Sequence, residues 1–243
     1  MKFTDLHLCA PIDNLEQAKR LFAKSAELGY TQIGVPLPHS VTDETVDRLR
    51  QISSELRLDF VTRLDLVPRS PDELLAGLGR FRRKFEVVSV LCNSKPVARQ
   101  AAKDRRVDLL CFRSFDPSKR FFDRAEAELA SASSAAFEID MAQVLSSFED
   151  RSGVGLFSRL RRELGVAKSS GVPVVISSGA SEPLLLRKPK DYAALGLLFE
   201  LDETRALQAL SENPSIIVER SRSKQNSEYV APGVRLVKTR GED

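Results

Sequence analysis

"EVVSVLCNSKPVARQAAKDRRVDLLCF", residues 86–112, decides the fold class. Its opening, EVVSVLCN (86–93), is a short, almost unbroken apolar run rich in valine, which reads as a strand. Ser94 then takes a helix N-cap position just ahead of a proline, and a helix follows to about Asp104. VDLLCF (107–112) is a second apolar run. Strand, helix and strand in so short a span form a βαβ unit, and near-continuous rather than alternating apolar runs are how parallel strands covered on both faces look. One charge, Asp108, interrupts the second run, and arginines bracket it: Arg105 and Arg106 before, Arg113 after. A strand needs none of these to fold.

The same alternation extends in both directions. Upstream, FTDLHL (3–8), TQIGVP (31–36) and LDFVTRLDLV (58–67) read as strands. Helices separate them: one opens at Asp13 with Glu16 in capping-box spacing, one follows Thr42, and one starts at Ser70-Pro71-Asp72-Glu73. Downstream, residues 121–132 are helical, AAFEID (135–140) is a strand, 156–169 is a helix ended by Gly171, and VPVVIS (172–177) is a strand. Residues between 141 and 155 have no clear period, and further helices lie near 190–200, from Asp202 to about Leu210, and after Asn213-Pro214. Regular units of roughly 25–35 residues predict an α/β fold, a TIM-like (β/α) barrel of seven parallel strands with extra C-terminal helices. No G-x-G-x-x-G follows the first strand, so an open dinucleotide-binding sheet is not supported. The expected organisation is one barrel domain over 1–223 and an extended C-terminal tail over 224–243.

Composition fits a soluble globular chain of 243 residues, 42% apolar and 29% charged. Net charge is only +3, but residues 80–120 alone carry +8, so the positive charge is concentrated. Such a concentration suggests a polyanion-binding surface. Cys9, Cys92 and Cys111 lie in or beside apolar runs without a C-x-x-C pair, which suits small buried hydrophobes in a reducing, cytoplasmic setting. The N-terminus has no apolar signal region, and no apolar run reaches the length of a membrane span.

In barrels of this kind ligands bind where strands end. The groups expected at that rim are His7 and Cys9, Pro36 to His39, Arg63 or Asp65, Asn93 and Lys95, Arg113, Glu138 or Asp140, and Ser177-Ser178-Gly179. Asp5-x-His7-x-Cys9 has the spacing that opens a metal-dependent phosphoesterase barrel. The chain has only two histidines, however, too few for such a metal site, and no metal ligand or catalytic residue is assigned. Ser177-Ser178 lacks a nucleophile elbow. Glu138 and Asp140 fall on one face of their strand, which suits acid–base work or a salt-bridged pair. The remaining chemistry is cationic: Arg63, Lys95, Arg99 and Arg113 at the rim, and Arg220, Arg222 and Lys224 on the last helix. Guanidinium groups bind phosphate through paired hydrogen bonds. With 7% aromatics and no tryptophan, contact with folded RNA through phosphate and shape fits better than a stacking platform. Arg105 and Arg106 precede their strand and face the opposite end, where they are expected to serve structure or partner docking.

The segments KPVARQAAKDRRVDLLCF (95–112), VPVVISSGASEPLLLRKPKDYAALGLL (172–198) and ALSENPSIIVERSRSK (209–224) resemble the barrel subunit of archaeal ribonuclease P, protein component 3, the thirty-kilodalton subunit family. The likeness spans nearly the whole chain. It implies a barrel related to polymerase-and-histidinol-phosphatase-type phosphoesterases with the metal ligands lost. It also implies a role in an RNA-dependent enzyme that removes the 5′ leader of precursor tRNA, with magnesium held by the RNA and no cofactor on this chain. Implied partners are the ribonuclease P RNA, the ferredoxin-like component 2 and other protein subunits, with precursor tRNA contacted indirectly and no membrane. On this resemblance Arg105 and Arg106 match the family's DRR, Arg220 its IVER arginine, and Ser177 and Ser178 its strand-seven turn. One departure stands at Ser221, where the motif often has Asn. The competing reading is an independent metal-dependent phosphoesterase on the same barrel.

Overall fold

A computed structural model describes residues 1–114, 116–148, 153–225, 229–231 and 234–235. Seven parallel strands hydrogen-bond in chain order: β1 (Phe3–Asp5), β2 (Tyr30–Pro36), β3 (Asp59–Leu66), β4 (Val87–Leu91), β5 (Leu109–Cys111), β6 (Ala136–Asp140) and β7 (Val174–Ser177). Helices α1 (Leu15–Glu27), α2 (Asp43–Glu55), α3 (Pro71–Phe81), α4 (Lys95–Lys103), α5 (Arg124–Ser133), α6 (Met141–Ser146) and α7 (Gly153–Ser170) join them. Helices α8 (Pro189–Gly196), α9 (Glu203–Ala209) and α10 (Glu212–Gln225) follow β7. The α/β barrel expected from the alternation is therefore what forms.

The first strand is shorter than the apolar run 3–8, because the chain after Asp5 is shared between two neighbours. Leu8 N–H donates to Gly34 O at 2.9 Å on the β2 side. On the β7 side, Gly179 N–H donates to His7 O and Cys9 N–H donates to Ala180 O, each at 2.9 Å. These bonds close the cylinder at its strand-C-terminal end, the mouth. At the other end, the base, the seam is filled from outside the sheet: Thr4 N–H donates to Leu210 O at 2.8 Å, and Asn213 Nδ2 donates to Val174 O at 2.8 Å. Backbone edges that a seven-stranded barrel would leave open thus find partners in the α9–α10 junction. Gly34 is required here, since a Cβ on it would meet Leu6 O at 2.7 Å.

Two apolar cores result. The larger lies between the sheet and the surrounding helices. The smaller fills the base of the barrel with Leu6, Val61, Val87, Leu109, Ala136 and Val175, stoppered by Ile217 and Val218 of α10. Above it the inward positions, two residues further along each strand, turn polar: Arg63, Ser89, Cys111, Glu138 and Ser177. The period-two geometry of a strand produces this layering.

Some local expectations change. Ser94 sits at the N-cap of α4 but makes no side-chain cap bond. The unpatterned stretch contains α6, capped by Asp140, whose Oδ1 accepts from Ala142 N–H at 3.0 Å. The expected extended tail falls largely outside the described residues; within them α10 runs on to Gln225, and β8 (Tyr229–Ala231) pairs antiparallel with β9 (Val234–Arg235). No helix among the described residues is long and apolar enough to cross a membrane.

Candidate functional site

The mouth is built around a buried arginine. Arg63 points inward from the middle of β3 and is 0% exposed. Its Nη1 and Nη2 grip Glu138 of β6 at 2.5 and 2.8 Å, Nη1 also donates to Leu6 O at 2.9 Å, and Nε donates to Asp65 at 2.6 Å. Glu138 takes two further bonds, from Ser177 Oγ at 2.7 Å and Ser89 Oγ at 3.3 Å. Burial pushes the Glu138 carboxyl up, yet the Arg63 guanidinium holds it below the ordinary carboxylate range. Within the pair, all three guanidinium nitrogens and both carboxylate oxygens have partners, which is what a buried pair needs.

One layer higher, His7 stands between two carboxylates, with Nε2 3.3 Å from Asp65 Oδ2 and Nδ1 3.3 Å from Asp140 Oδ2. Arg113 reaches over them, Nη2 at 3.3 Å from Asp65 Oδ2 and Nε at 3.4 Å from Asp140 Oδ2. Arg113 Nη2 also lies 3.0 Å from His7 Nε2, a spacing that would suit donation to a neutral ring. The carboxylates decide against it. Burial and the Arg63 charge push the His7 pKa down, but Asp140 and Asp65 on its two nitrogens raise it well above its ordinary value. The imidazolium is therefore paired with both aspartates, and Arg113 is held by the same aspartates. Burial pushes the carboxyls of Asp65 and Asp140 up, but Arg63 beside Asp65 and the His7 hydrogen bond to Asp140 lead the effects that hold both low. Three cations, Arg63, Arg113 and His7, thus meet three carboxylates, Asp65, Glu138 and Asp140. Gly179, at φ +62, makes the close approach possible, since a Cβ there would collide with the Asp140 carboxylate. Among the described residues no group of three or more His, Cys, Asp or Glu side chains is arranged to hold a metal ion. Asp65, Glu138 and Asp140 are already bonded to guanidinium or imidazolium, and Asp5 turns one oxygen to the backbone N–H groups of His7 and Ser178, so the site does not fit the metal centre that the Asp5-x-His7-x-Cys9 spacing brings to mind.

The base has a different logic. Asp108, the lone charge in the β5 run, is 0% exposed. It accepts from Val88 N–H at 3.0 Å and from Arg220 at 3.1 Å, and it forms an ion pair with Arg82 at 3.1 Å. Arg82 also donates to Phe85 O at 2.8 Å and to Ser221 Oγ at 3.0 Å. Arg222 binds Glu86 at 2.6 Å and both Asp59 oxygens at 2.8 Å. These bonds latch α10 across the barrel floor above Ile217 and Val218. Outside the latch, Arg83, Lys84, Lys103, Arg105 and Lys224 are exposed.

The cations expected at an RNA surface are therefore not one set. Arg63 is a correction: with no exposed surface and four bonds to acceptors inside the mouth, it organises the barrel interior and cannot touch RNA. Arg220 and Arg222 sit at the base, not near the rim, and most of their donors serve the latch. Arg99 is committed to Asp123 at 2.6 Å and Glu126 at 2.9 Å across the α4–α5 packing. Arg113 is partly exposed at the mouth, while Lys95 and Lys224 are exposed at opposite ends. Arg106 is held by Asp104 at 2.7 Å, and Arg105 points to solvent. Ser177 and Ser178 are buried; Ser178 N–H donates to Asp5 Oδ1 at 2.9 Å, and its hydroxyl accepts from Ala180 N–H at 3.0 Å. Ser221 is buried under Arg82, so its departure from the usual residue does not alter an exposed surface. His39 packs its ring on Phe81, 4.9 Å between centroids. Sequence reading missed Arg82, and it missed the buried Arg120–Glu163 pair at 2.6 Å, for which no local pattern gives a signal.

With this geometry in view, the comparisons are specific. The ribonuclease P protein component 3 of Methanococcoides burtonii is 29% identical over 96% of this chain and 93% of that protein. A chain of an archaeal ribonuclease P solved with mature tRNA by cryo-electron microscopy superposes with a TM-score of 0.81, at 20% identity, over 98% of this chain and 100% of that one. A histidinol phosphate phosphatase from Lactococcus lactis, solved with zinc, L-histidinol and phosphate, shares the barrel at a TM-score of 0.51 and 11% identity, over 90% of this chain and 94% of that one. A sequence profile described as RNase P subunit p30 matches residues 2–226, and the chain belongs to that family.

Proposed function

We propose that this chain is a protein subunit of ribonuclease P that binds and supports the catalytic RNA during removal of the 5′ leader of precursor tRNA, and that it performs no chemistry itself. Family membership supports the complex. The single observation that carries the non-catalytic part is the charge closure of the mouth: Asp65, Glu138 and Asp140 are each engaged by Arg63, Arg113 or His7. A general base must be free to take a proton, and a metal ligand must have a lone pair to give. Here both are spent inside the protein. The catalytic magnesium ions belong to the RNA on this reading. The partners are that RNA, the ferredoxin-like component 2 and further protein subunits, in the cytoplasm.

The test is to assay the purified chain with manganese or magnesium on a phosphomonoester and on precursor tRNA, beside a reconstituted holoenzyme with and without it. The expected result is no turnover by the chain alone and a clear fall in 5′-leader cleavage when it is omitted. Hydrolysis by the isolated chain that disappears on His7→Ala would instead establish the phosphoesterase reading.

A further inference from the structure

The outward cations of the base have no role in the latch. Residues 82–84 form a single 3-10 turn in which Arg82 goes inward to Asp108, leaving Arg83 and Lys84 exposed. That turn leads into β4, and the Asp104–Val107 turn leads into β5. The two strands are hydrogen-bonded neighbours, which places the turns side by side at about one strand spacing, roughly 5 Å. In the second turn Arg106 folds back on Asp104, and Arg105 is left exposed. The end of α10 is tied to the first turn by the Arg82 bond to Ser221 Oγ at 3.0 Å, and its last turn carries Lys224. Its ammonium is held below its ordinary pKa by burial and by Arg220, Arg82 and Arg105, against the opposing pull of Asp108. Like charges are therefore crowded there. The basal carboxylates Asp59, Glu86, Asp104 and Asp108 are already engaged by Arg222, Arg106, Arg82 and Arg220.

We propose that Arg83, Lys84, Arg105 and Lys224 form one phosphate-binding face on the β4–β5 side of the barrel base, and that its occupant is the backbone of structured RNA. The inference rests on the ribonuclease P reading given above and says which end of the barrel the RNA meets. Helix-dipole complementation explains cations in a last helical turn, as for Lys103. It does not explain Arg105, which lies beyond the end of α4. A protein partner fits less well, because docking surfaces centre on apolar side chains and are poor in lysine. None of the exposed large hydrophobic residues belongs to residues 82–84, to the Asp104–Val107 turn or to the last turn of α10. Exposed cations with no carboxylate partner among the described residues match phosphate oxygens, which need charge and donors but no apolar pocket.

The experiment measures the salt dependence of RNA binding by the reconstituted protein assembly, using an in vitro transcript of an archaeal ribonuclease P RNA. One variant combines Arg83→Ala, Lys84→Ala, Arg105→Ala and Lys224→Ala. A second removes equal charge from the mouth side, where strands lead into helices, with Arg69→Ala, Lys95→Ala, Lys119→Ala and Arg124→Ala. The basal variant should flatten the log–log slope by about two units or more, and the mouth-side variant by less. Arg105→Glu, a single change in an exposed turn, should weaken binding by itself without lowering the melting temperature. A steep wild-type slope that the basal variant leaves unchanged, or that only the mouth-side variant flattens, overturns the proposal. So does a basal variant that loses a protein subunit while keeping its RNA slope. A flat wild-type slope together with cleavage indifferent to the chain would sink the ribonuclease P reading itself, which keeps the two failures apart.

Discussion

The mouth and the base of this barrel both hold many arginines, and they use them in opposite ways. At the mouth the guanidiniums turn inward, and cation and carboxylate balance three against three around Glu138, Asp65 and Asp140. At the base three arginines are anchored, and a further group of cations is left outside with no carboxylate among the described residues to answer it. A barrel mouth is where ligand chemistry is ordinarily placed and a barrel floor is where stability resides. In this chain the mouth has the character of a structural lock and the floor the character of a binding face. Counting arginines therefore says little; what each one donates to says which end is free.

The sharpest way to break that contrast is to unlock the mouth. Glu138→Gln leaves the Arg63 guanidinium buried without its counter-charge, and removing one partner of a buried pair costs about 3–5 kcal/mol. Urea unfolding should show that loss, and the double change Arg63→Met, Glu138→Leu should recover most of it. A loss below about 1 kcal/mol would mean that water reaches Arg63 and the mouth is not closed.

The base should yield less. Asp108→Ala strips Arg82, Arg220 and Val88 N–H of a shared acceptor, but Arg82 and Arg220 keep carbonyl partners at Phe85 and Ser134. Hydrogen bonds to a charged group are worth about 1.5–3 kcal/mol, and one such term is the expected loss. Hydrogen exchange should locate it in α10, whose latch is the element released. Faster exchange spread evenly over the sheet would count against the latch.

A third effect is set by pH. The His7 pKa is raised in the folded state, so its contribution to stability is fully present below the unfolded value and is lost as pH rises through the folded one. His7→Gln should therefore destabilise by about 1–2 kcal/mol near pH 6, and the gap to wild type should narrow in alkali. Asp65 and Asp140 run the other way. Their lowered values give stability that is present above the unfolded carboxylate range and lost as pH falls through the folded values. A gap that widens with rising pH would mean that His7 is neutral and accepts a hydrogen bond from Arg113 after all.

Much of this is legible in the amino-acid pattern, and the reason lies in period. The apolar runs at 86–93 and 107–112 mark buried parallel strands because both faces of such strands are covered. Asp108 inside one of those runs has to be a satisfied charge, since burying an unpaired one is too costly. Rim residues follow from strand ends, so His7 can be placed with one of Arg63 and Asp65 and one of Glu138 and Asp140. Pairing between elements distant in sequence is another matter. Arg63 finds Glu138 75 positions away, and Arg220 finds Asp108 at a separation of 112. Nothing local distinguishes an arginine bound for such a partner from one bound for solvent. Hence the expectation of Arg63 at an RNA surface, and the grouping of the α10 cations with those of the rim.

The smallest predicted effect sharpens the contrast within a single turn. Arg105 and Arg106 are adjacent and identical in type, and local sequence offers no reason to separate them. The structure does: Arg106 gives Nε and Nη2 to the two Asp104 oxygens at 2.9 and 2.7 Å, while Arg105 is exposed and outside any such fork. Because the Arg106 side chain is 41% exposed, its bridge is screened by water and salt and is worth about 0–1 kcal/mol. Arg106→Ala should therefore lower the melting temperature slightly, and the deficit should shrink in high salt. Arg105→Ala should leave it unchanged at any salt, having no bridge to lose. RNA affinity should respond in the reverse order, with Arg105→Ala costing more than Arg106→Ala. Equal effects of the two changes on both measurements would mean that the Asp104 fork opens in solution, and the distinction between an anchored and an outward arginine would then fail where it is drawn most finely.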